Sequence, residues 1–509
     1  MKPVLRRLLA MILSVSLCCP ASALPELTET DAVPSLPADP LSVSVAMQQK
    51  RTVHGNPISA EIFCADPTAV EYNGRLYVYG TNDHQQYLEK GPDAENTYER
   101  IKSFAVFSTA DMVNWTYHGT IDTASIAPWI IASWAPSVVS RVEEDGLTHF
   151  YLYFSNSGCG VGVLTATDPL GPWSDPLGRS LITPNTPGLR DCPVPFDPGV
   201  CLDGNGVGWL AFGGGTAPDG TDAMPGTARI VRLGPDLLSF DSEFAEIPAP
   251  YFFEASELNV LGDTFVYTYC TNWKERSGPV GDLPAPAAAC MAYMTTKTPL
   301  DPASWVYRGG CFKNPGQSGF DYSNNHTHMH FFKGQWYMLY HTMALKKIMG
   351  VRGGYRSICA DPVRVDETAA AIPLTGGTMA GVTSSAEPAD VLKSQDAAMH
   401  FDAAGIRPGA EGRLFTQQAG AWTGVRQAAF PEADTTLDFL LRAQGKGTVE
   451  VHLDALNGPV IARASFDSRN AFSVIRAEGL CPVSGVHDLF FVFSDAFMLA
   501  SGWQFAYPE

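Results

Sequence analysis

Five times along this chain a glycine-centred turn opens into an aromatic, alternating strand: YNGRLYVYG (72–80), EDGLTHFYLYFS (144–155), DGNGVGWLAFGG (203–214), LGDTFVYTYC (261–270) and FKGQWYMLYHT (332–342). A turn glycine followed by period-two alternation predicts a β-hairpin. The glycines at 74, 146, 206, 262 and 334 are spaced as one four-stranded blade each, with room for long loops. The expected fold is therefore all-β, with a five-bladed β-propeller as its main part. Two further stretches, FAVFSTADMVNWTYHG (104–119) and AYMTTKTPLDPASWVYRGG (292–310), fit as outer hairpins of their blades.

The residues ahead of each turn carry the chemistry. Counting back 8 to 12 positions from the glycines gives Asp66, Trp134, Asp197, Glu254 and His326. The first strand of every propeller blade runs along the central axis, so these side chains should converge at one mouth of the channel. Three carboxylates beside an aromatic wall are what glycosidic hydrolysis requires. One must stay protonated to donate to the leaving oxygen, and another must be ionised to activate water or attack. A third raises the acid's pKa by like-charge repulsion.

Charge excludes other partners. The chain carries a formal −19, and −22 without Lys2, Arg6 and Arg7, which argues against nucleic acid or an anionic membrane surface. Its opening residues have a basic start, an apolar run from Leu8 to Leu17 and an Ala21-Ser22-Ala23 ending. That run is too short to span a bilayer and predicts a cleaved signal peptide over 1–23, hence a secreted or periplasmic protein. Residues 24–50 read as a linker or N-terminal arm, 51–373 as the propeller, 374–389 as a Gly/Ser/Thr-rich linker or closing strand and 390–509 as a β-sandwich of jelly-roll type. Nine cysteines remain beyond the leader, so at least one thiol is unpaired unless a bond forms between molecules.

The motifs ADPTAVEYNGRLYVYG, STADMVNWTYHG, WAPSVV, FDPGVCLDGNG, FFEASELNVLGDTFVYTY, NNHTHMHFFKGQWYMLYH and GGYRSICAD, taken in order, resemble glycoside hydrolase family 43 over about residues 56–366. These are five-bladed propeller enzymes acting on arabinose and xylose linkages. The resemblance implies Asp66 as general base, Glu254 as general acid and Asp197 as the carboxylate that tunes and orients. It implies one-step inversion with no required cofactor, the base and acid lying about 6.5 to 9.5 Å apart. Glu257 is the rival acid, but residues three apart on a regular strand face opposite sides. Trp134 would wall the sugar pocket. His326 would sit near the axis, where family members often hold a calcium or water. The alternating His326, His328 and His330 would share one strand face, as in a transition-metal site; the other reading is one axial histidine and two packing ones. Asp83 and Arg356 are expected as sugar contacts or, equally, as structural ion-pair residues, Arg356 with the further option of pairing with an active-site carboxylate.

The C-terminal region is similar to family 6 carbohydrate-binding modules, yet Phe472 stands where a Trp is usual and Ala500-Ser501-Gly502-Trp503 replaces Asn-x-Asp-Trp. A structural sandwich is the competing expectation. For the whole chain the leading expectation is an exo-glycosidase releasing α-L-arabinofuranosyl groups from arabinoxylan or xylan-derived oligosaccharides. A β-xylosidase and a non-catalytic glycan-binding propeller are the alternatives.

Overall fold

The computed structural model describes residues 55–382 and 406–506, apart from 60, 114, 275, 277, 409–413, 417–418, 431–435 and 472. The expected signal peptide, the arm over 24–50 and Phe472 lie outside the described residues. Five antiparallel sheets follow in chain order. Blade 1 contains β1 (Ala65–Tyr72), β2 (Arg75–Thr81), β3 (Ser103–Thr109) and β4 (Trp115–Asp122). Blade 2 has β5 (Trp134–Val142), β6 (Thr148–Ser155) and β7 (Val161–Ala166). Blade 3 has β8 (Gly199–Leu202), β9 (Gly208–Phe212), β10 (Arg229–Arg232) and β11 (Ala245–Glu246). Blade 4 has β12 (Phe252–Leu261) and β13 (Thr264–Thr271), then a small hairpin β14 (Pro279–Val280) and β15 (Leu283–Pro284), then β16 (Met291–Thr296) and β17 (Val306–Phe312). Blade 5 has β18 (Thr327–Phe332), β19 (Gln335–Thr342) and β20 (Ser357–Val363). The two outer hairpins expected from sequence are β3–β4 and β16–β17.

The five turn glycines have φ between 64° and 85°, a region where a Cβ is penalised. That is why glycine marks each hairpin. The strands that follow are aromatic because blades pack face to face, so a second strand such as β2 is buried along its whole length. Each blade interface holds its own apolar cluster. Tyr79, Phe104, Phe150 and Phe154 lie between blades 1 and 2, Tyr153, Leu210 and Phe212 between 2 and 3. Trp209, Phe252 and Tyr267 lie between 3 and 4, Phe312, Met329 and Tyr340 between 4 and 5, and Leu76, Phe107, Leu339 and Ile358 between 5 and 1.

The ring is closed by segments outside the strands. Ile58 donates its N–H to Ile358 (3.0 Å), and Gly55 to Ala380 (3.0 Å). Lys313 donates to the Thr375 carbonyl (2.8 Å) and Thr375 to that of Cys311 (3.1 Å). The stretch 374–382, expected as a linker or closing strand, takes the closing role, because its backbone bonds to Cys311 and Lys313 at the end of the outer strand of blade 4 and to Gly55. Buried Asn56 pins the closure. Its amide nitrogen reaches Asp361 Oδ2 (2.9 Å) and the Thr378 carbonyl (2.7 Å), and its Oδ1 accepts from Ala360 N–H (2.8 Å). Asn56→Ala strands these buried partners and should cost about 2–4 kcal/mol, read as a lower urea midpoint; an unchanged midpoint would contradict the role assigned to it.

Beyond the propeller, β21 (Ile406–Pro408), β22 (Leu414–Thr416), β23 (Trp422–Phe430), β24 (Asp438–Gln444), β25 (Lys446–Leu453), β26 (Val460–Asp467), β27 (Ser473–Gly479), β28 (Gly485–Phe493) and β29 (Leu499–Ala506) form one curled sheet. The order is β21-β22-β29-β24-β27-β26-β25-β28-β23. Only two residue pairs join β26 to β27, so the sheet folds over there into two layers. Phe439, Leu441, Val451, Phe491 and Trp503 fill the space between them. This is a β-sandwich. Cys64, Cys192, Cys201, Cys270, Cys290, Cys311 and Cys481 are free thiols. Among the described residues, no helix is long and apolar enough to cross a membrane.

Candidate active site

Four blades present a left-handed residue at the start of their inner strand: Asp66 (φ 49°), Ala135 (φ 38°), Asp197 (φ 49°) and Ala255 (φ 60°). In blades 1, 2 and 4 the pairing register slips there, so each is a bulge that re-aims a side chain. The five-fold offset read from sequence is therefore not strict. In blades 1 and 3 the acid is itself the left-handed residue, whereas Trp134 and Glu254 stand one position ahead of theirs. Aspartate tolerates this conformation better than most residues; alanine there is strained, and strain of this kind gathers at functional sites.

Asp66 is held by one guanidinium and two imidazoles. Arg356 Nη1 lies 2.9 Å from its Oδ1, His341 Nδ1 3.2 Å and His326 Nδ1 3.6 Å. Burial, the largest single influence, opposes its ionisation, but the Arg356 guanidinium together with His341 and His326 outweighs it and holds the carboxyl well below the usual range. The same guanidinium grips Asp83 through two bonds, Nε to Oδ2 (2.9 Å) and Nη2 to Oδ1 (2.8 Å). Asp83, expected at the sugar, is 0% exposed. It holds Arg356 instead of touching substrate, and Arg356 takes its carboxylate-pairing role. Tyr98 lies against Arg356, with the guanidinium carbon 4.6 Å from the ring centre. The Tyr98 carbonyl accepts from Trp134 Nε1 (3.1 Å), which fixes the half-buried indole at the edge of the pocket.

Asp197 bridges toward Glu254. Its Oδ1 accepts from Ser155 Oγ (3.1 Å) and its Oδ2 from the Ala255 N–H (2.9 Å). The left-handed turn at Ala255 thus brings the acid of blade 4 beside that of blade 3. Burial, then the charges of Asp197 and Asp66, push the Glu254 carboxyl well above the ordinary range. Burial also raises Asp197. One pocket therefore holds a carboxyl that stays ionised and one that keeps its proton, the division of labour that acid–base hydrolysis of a glycoside needs.

The family model described as Glycosyl hydrolases family 43 matches residues 54–368. The chain belongs to glycoside hydrolase family 43. It is 34% identical over 476 residues to an arabinoxylan arabinofuranohydrolase of Bacillus subtilis (strain 168), covering 87% of this chain and 90% of that protein. It is 32% identical over 499 residues to an arabinoxylan arabinofuranohydrolase of Paenibacillus polymyxa, covering 91% and 76%. A crystal structure of the Bacillus subtilis family 43 arabinoxylan arabinofuranohydrolase in complex with cellotetraose superposes with a TM-score of 0.75 at 32% identity, covering 92% of this chain and all of that one.

In this family 43 hydrolase the rival acid is elsewhere. Glu257 is buried and meets His328 Nδ1 at 2.6 Å, while His328 Nε2 contacts His330 Nδ1 at 3.1 Å. His326 alone turns to the carboxylates, its Nδ1 also 3.9 Å from Asp197 Oδ2. The alternating histidines are thus one axial and two packed against Glu257. Among the described residues no group of three or more His, Cys, Asp or Glu side chains could hold a metal ion. Calcium wants six to eight oxygen ligands, and the carboxylates beside His326 are already engaged, Asp66 by Arg356 and Asp197 by Ser155 and Ala255. The site does not fit an axial calcium on its own residues, and paired-carboxylate hydrolysis calls on no cofactor.

Sequence reasoning passed over Tyr98, Ser155 and His341. Ser155 and His341 sit at the ends of two of the repeated hairpins, so the repeat itself marked them. Tyr98 lies in a loop, where nothing in the period singles it out.

Proposed function

We propose that this hydrolase removes α-L-arabinofuranosyl groups from arabinoxylan or its oligosaccharides in one inverting step. Asp66 takes the proton from the attacking water, Glu254 protonates the leaving oxygen, and Asp197 orients and tunes Glu254. The observation that carries the reading is the opposed environments of Asp66 and Glu254 within one pocket. The arabinose side rests on the names of the two relatives that match most of the chain. Trp134, at the pocket edge, is the wall against which the sugar packs. Export to a secreted or periplasmic location belongs to the same reading, supported by the basic, apolar and small-residue order of the leader. The sandwich would hold the polysaccharide near the propeller, a role supported by its resemblance to carbohydrate-binding modules.

The test compares 4-nitrophenyl α-L-arabinofuranoside, 4-nitrophenyl β-D-xyloside and arabinoxylan, with proton NMR of the first sugar released. Arabinose appearing as the β-anomer is expected. Xylose release alone, or first-formed α-arabinose, would overturn the proposal. The pH profile is a second check. The base must be ionised, so activity falls as pH drops through the depressed Asp66 pKa. The acid must be protonated, so activity falls as pH rises through the elevated Glu254 pKa. The expected kcat/KM profile is a bell with its acid limb below, and its alkaline limb above, those of free carboxyl groups.

A further inference from the structure

Tyr98 stands in the loop between β2 and β3 with φ 62°. A left-handed backbone is a genuine outlier for a residue of this bulk, and it persists only where the surroundings over-determine it. Here they do. The Tyr98 N–H donates to Asn96 Oδ1 (3.3 Å), and its carbonyl accepts from the Ile101 N–H (3.1 Å) as well as from Trp134 Nε1. Asn96 is buried and donates to Asp83 Oδ2 (2.8 Å) and to the Gly354 carbonyl (3.3 Å). The same loop is tied to blade 5, where the Gly353 N–H meets the Pro92 carbonyl (2.8 Å) and the Tyr355 hydroxyl that of Gly91 (2.9 Å). Tyr98 is therefore fixed from several sides although it lies in a loop.

These contacts place its ring in the wall of the pocket. The ring centre lies 4.6 Å from the guanidinium carbon of Arg356, whose Nη1 holds Asp66, and 6.2 Å from the Trp134 ring, edge to face. Tyr98 thus fills the side of the pocket between the base and the indole. Its hydroxyl is the loose end. Buried Tyr79, Tyr269 and Tyr340 give theirs to Pro169 (2.7 Å), Pro250 (2.8 Å) and Asp361 (2.6 Å), as buried phenols generally do. Among the described residues the Tyr98 hydroxyl bonds to nothing, yet the residue is only half-buried and this oxygen is not sealed from solvent. Burial pushes the phenol up to about 12, with Arg356 opposing and Asp83, Asp66 and Glu254 adding, so it keeps its proton well past neutral pH. What remains is a neutral donor, fixed in place, open to the pocket and without an acceptor.

We propose that Tyr98 is a specificity-determining residue whose hydroxyl donates a hydrogen bond to one hydroxyl of the glycosyl group seated against Trp134. A neutral donor suits a neutral sugar oxygen. A sugar that lacks the matching hydroxyl leaves the phenol unpaired in a partly desolvated wall, and a site built to pair with a substrate hydroxyl discriminates against such analogues. The strained turn at Tyr98 is what aims the ring. The proposal rests on the assignment of this pocket above and adds how the sugar is recognised in it.

The decisive variant is Tyr98→Phe, which keeps the ring, its place on Arg356 and the carbonyl that holds Trp134, and removes one O–H that the fold does not use. The thermal midpoint and both limbs of the pH profile should stay where they are, while kcat/KM on 4-nitrophenyl α-L-arabinofuranoside falls about tenfold, as for the loss of one neutral hydrogen bond. The 2-deoxy, 3-deoxy and 5-deoxy forms of that substrate then locate the partner. On one of them Tyr98→Phe should match the parent within about twofold, because the acceptor is already missing, and on the other two the loss of about tenfold should persist. An analogue turned over too slowly is compared through its inhibition constant instead. A Tyr98→Phe enzyme within about twofold of the parent on the full substrate, or one equally impaired on all three analogues, would overturn the proposal. So would a failure of Tyr98→Phe to fold, since the hydroxyl would then not be free. Release of xylose alone by the parent enzyme would sink the arabinose reading and not this one, which the deoxy xylosides then test in the same way.

Discussion

Asp66→Asn is expected to lower kcat by about 10³–10⁴-fold while leaving KM and the thermal midpoint nearly unchanged. Asparagine is the informative replacement because it is close in shape and tolerates the left-handed conformation that Asp66 adopts, φ 49°. Asp66→Ala would confound lost chemistry with backbone strain. Asp66→Gly accepts the conformation and opens space, so added azide should restore turnover by attacking the anomeric carbon where water no longer is activated. The product of that rescue should be the β-arabinosyl azide, the anomer opposite to substrate. An Asp66→Asn enzyme with a tenth or more of parental kcat would remove the base from this residue.

Arg356→Met is expected to cost about 3–5 kcal/mol of stability, the largest loss from any single substitution considered. The guanidinium is 3% exposed and is shared by Asp66 and Asp83, so its removal leaves two carboxylates facing each other in a dry site. Lysine cannot repair this, since a point charge cannot reproduce the fork that spans both oxygens of Asp83. Removing one of the stranded charges, in Arg356→Met with Asp83→Asn, should recover part of the loss. The variant should also raise the Asp66 pKa and carry the acid limb of the activity profile upward, because the strongest of the groups that offset burial is gone. Urea denaturation at neutral pH measures the first effect and the kcat/KM profile the second. A loss below about 1 kcal/mol would mean that the pair is not the support described here.

Much of this was legible in the linear chain, for identifiable reasons. The hairpin glycines are forced by backbone sterics and the aromatic strands by burial on both faces, so period and turn chemistry exposed every blade. Asp66, Asp197 and Glu254 stood out because each belongs to the inner strand whose glycine sets the count. What period could not reveal is the local breaking of period. Glu254 and Glu257 were separable only on the assumption of a regular strand, whereas the strand bulges at Ala255, and it is this bulge that sets Glu254 beside Asp197. Asp83 and Arg356 are 273 residues apart in sequence, so their mutual grip, and the loss of Asp83 as a sugar contact, needed the closed ring to be seen. His341 lay inside a quoted repeat, but its meaning depends on which residue the next blade presents to it.

The way the ring closes bears on how the protein is made. Asn56 finds the partner strand that holds it 304 residues later, at Ala360. During synthesis the amino-terminal edge of blade 1 must wait, unmated, until the last blade has emerged. Contacts of such separation are slow to form. The early blades can assemble as neighbours while the final seam is still missing. Arg356, on the late side of that seam, is also the residue that charges Asp66. Catalytic competence should therefore arrive with ring closure, in one kinetic step, and a nascent chain released before blade 5 is complete should carry all three carboxylates and hydrolyse nothing.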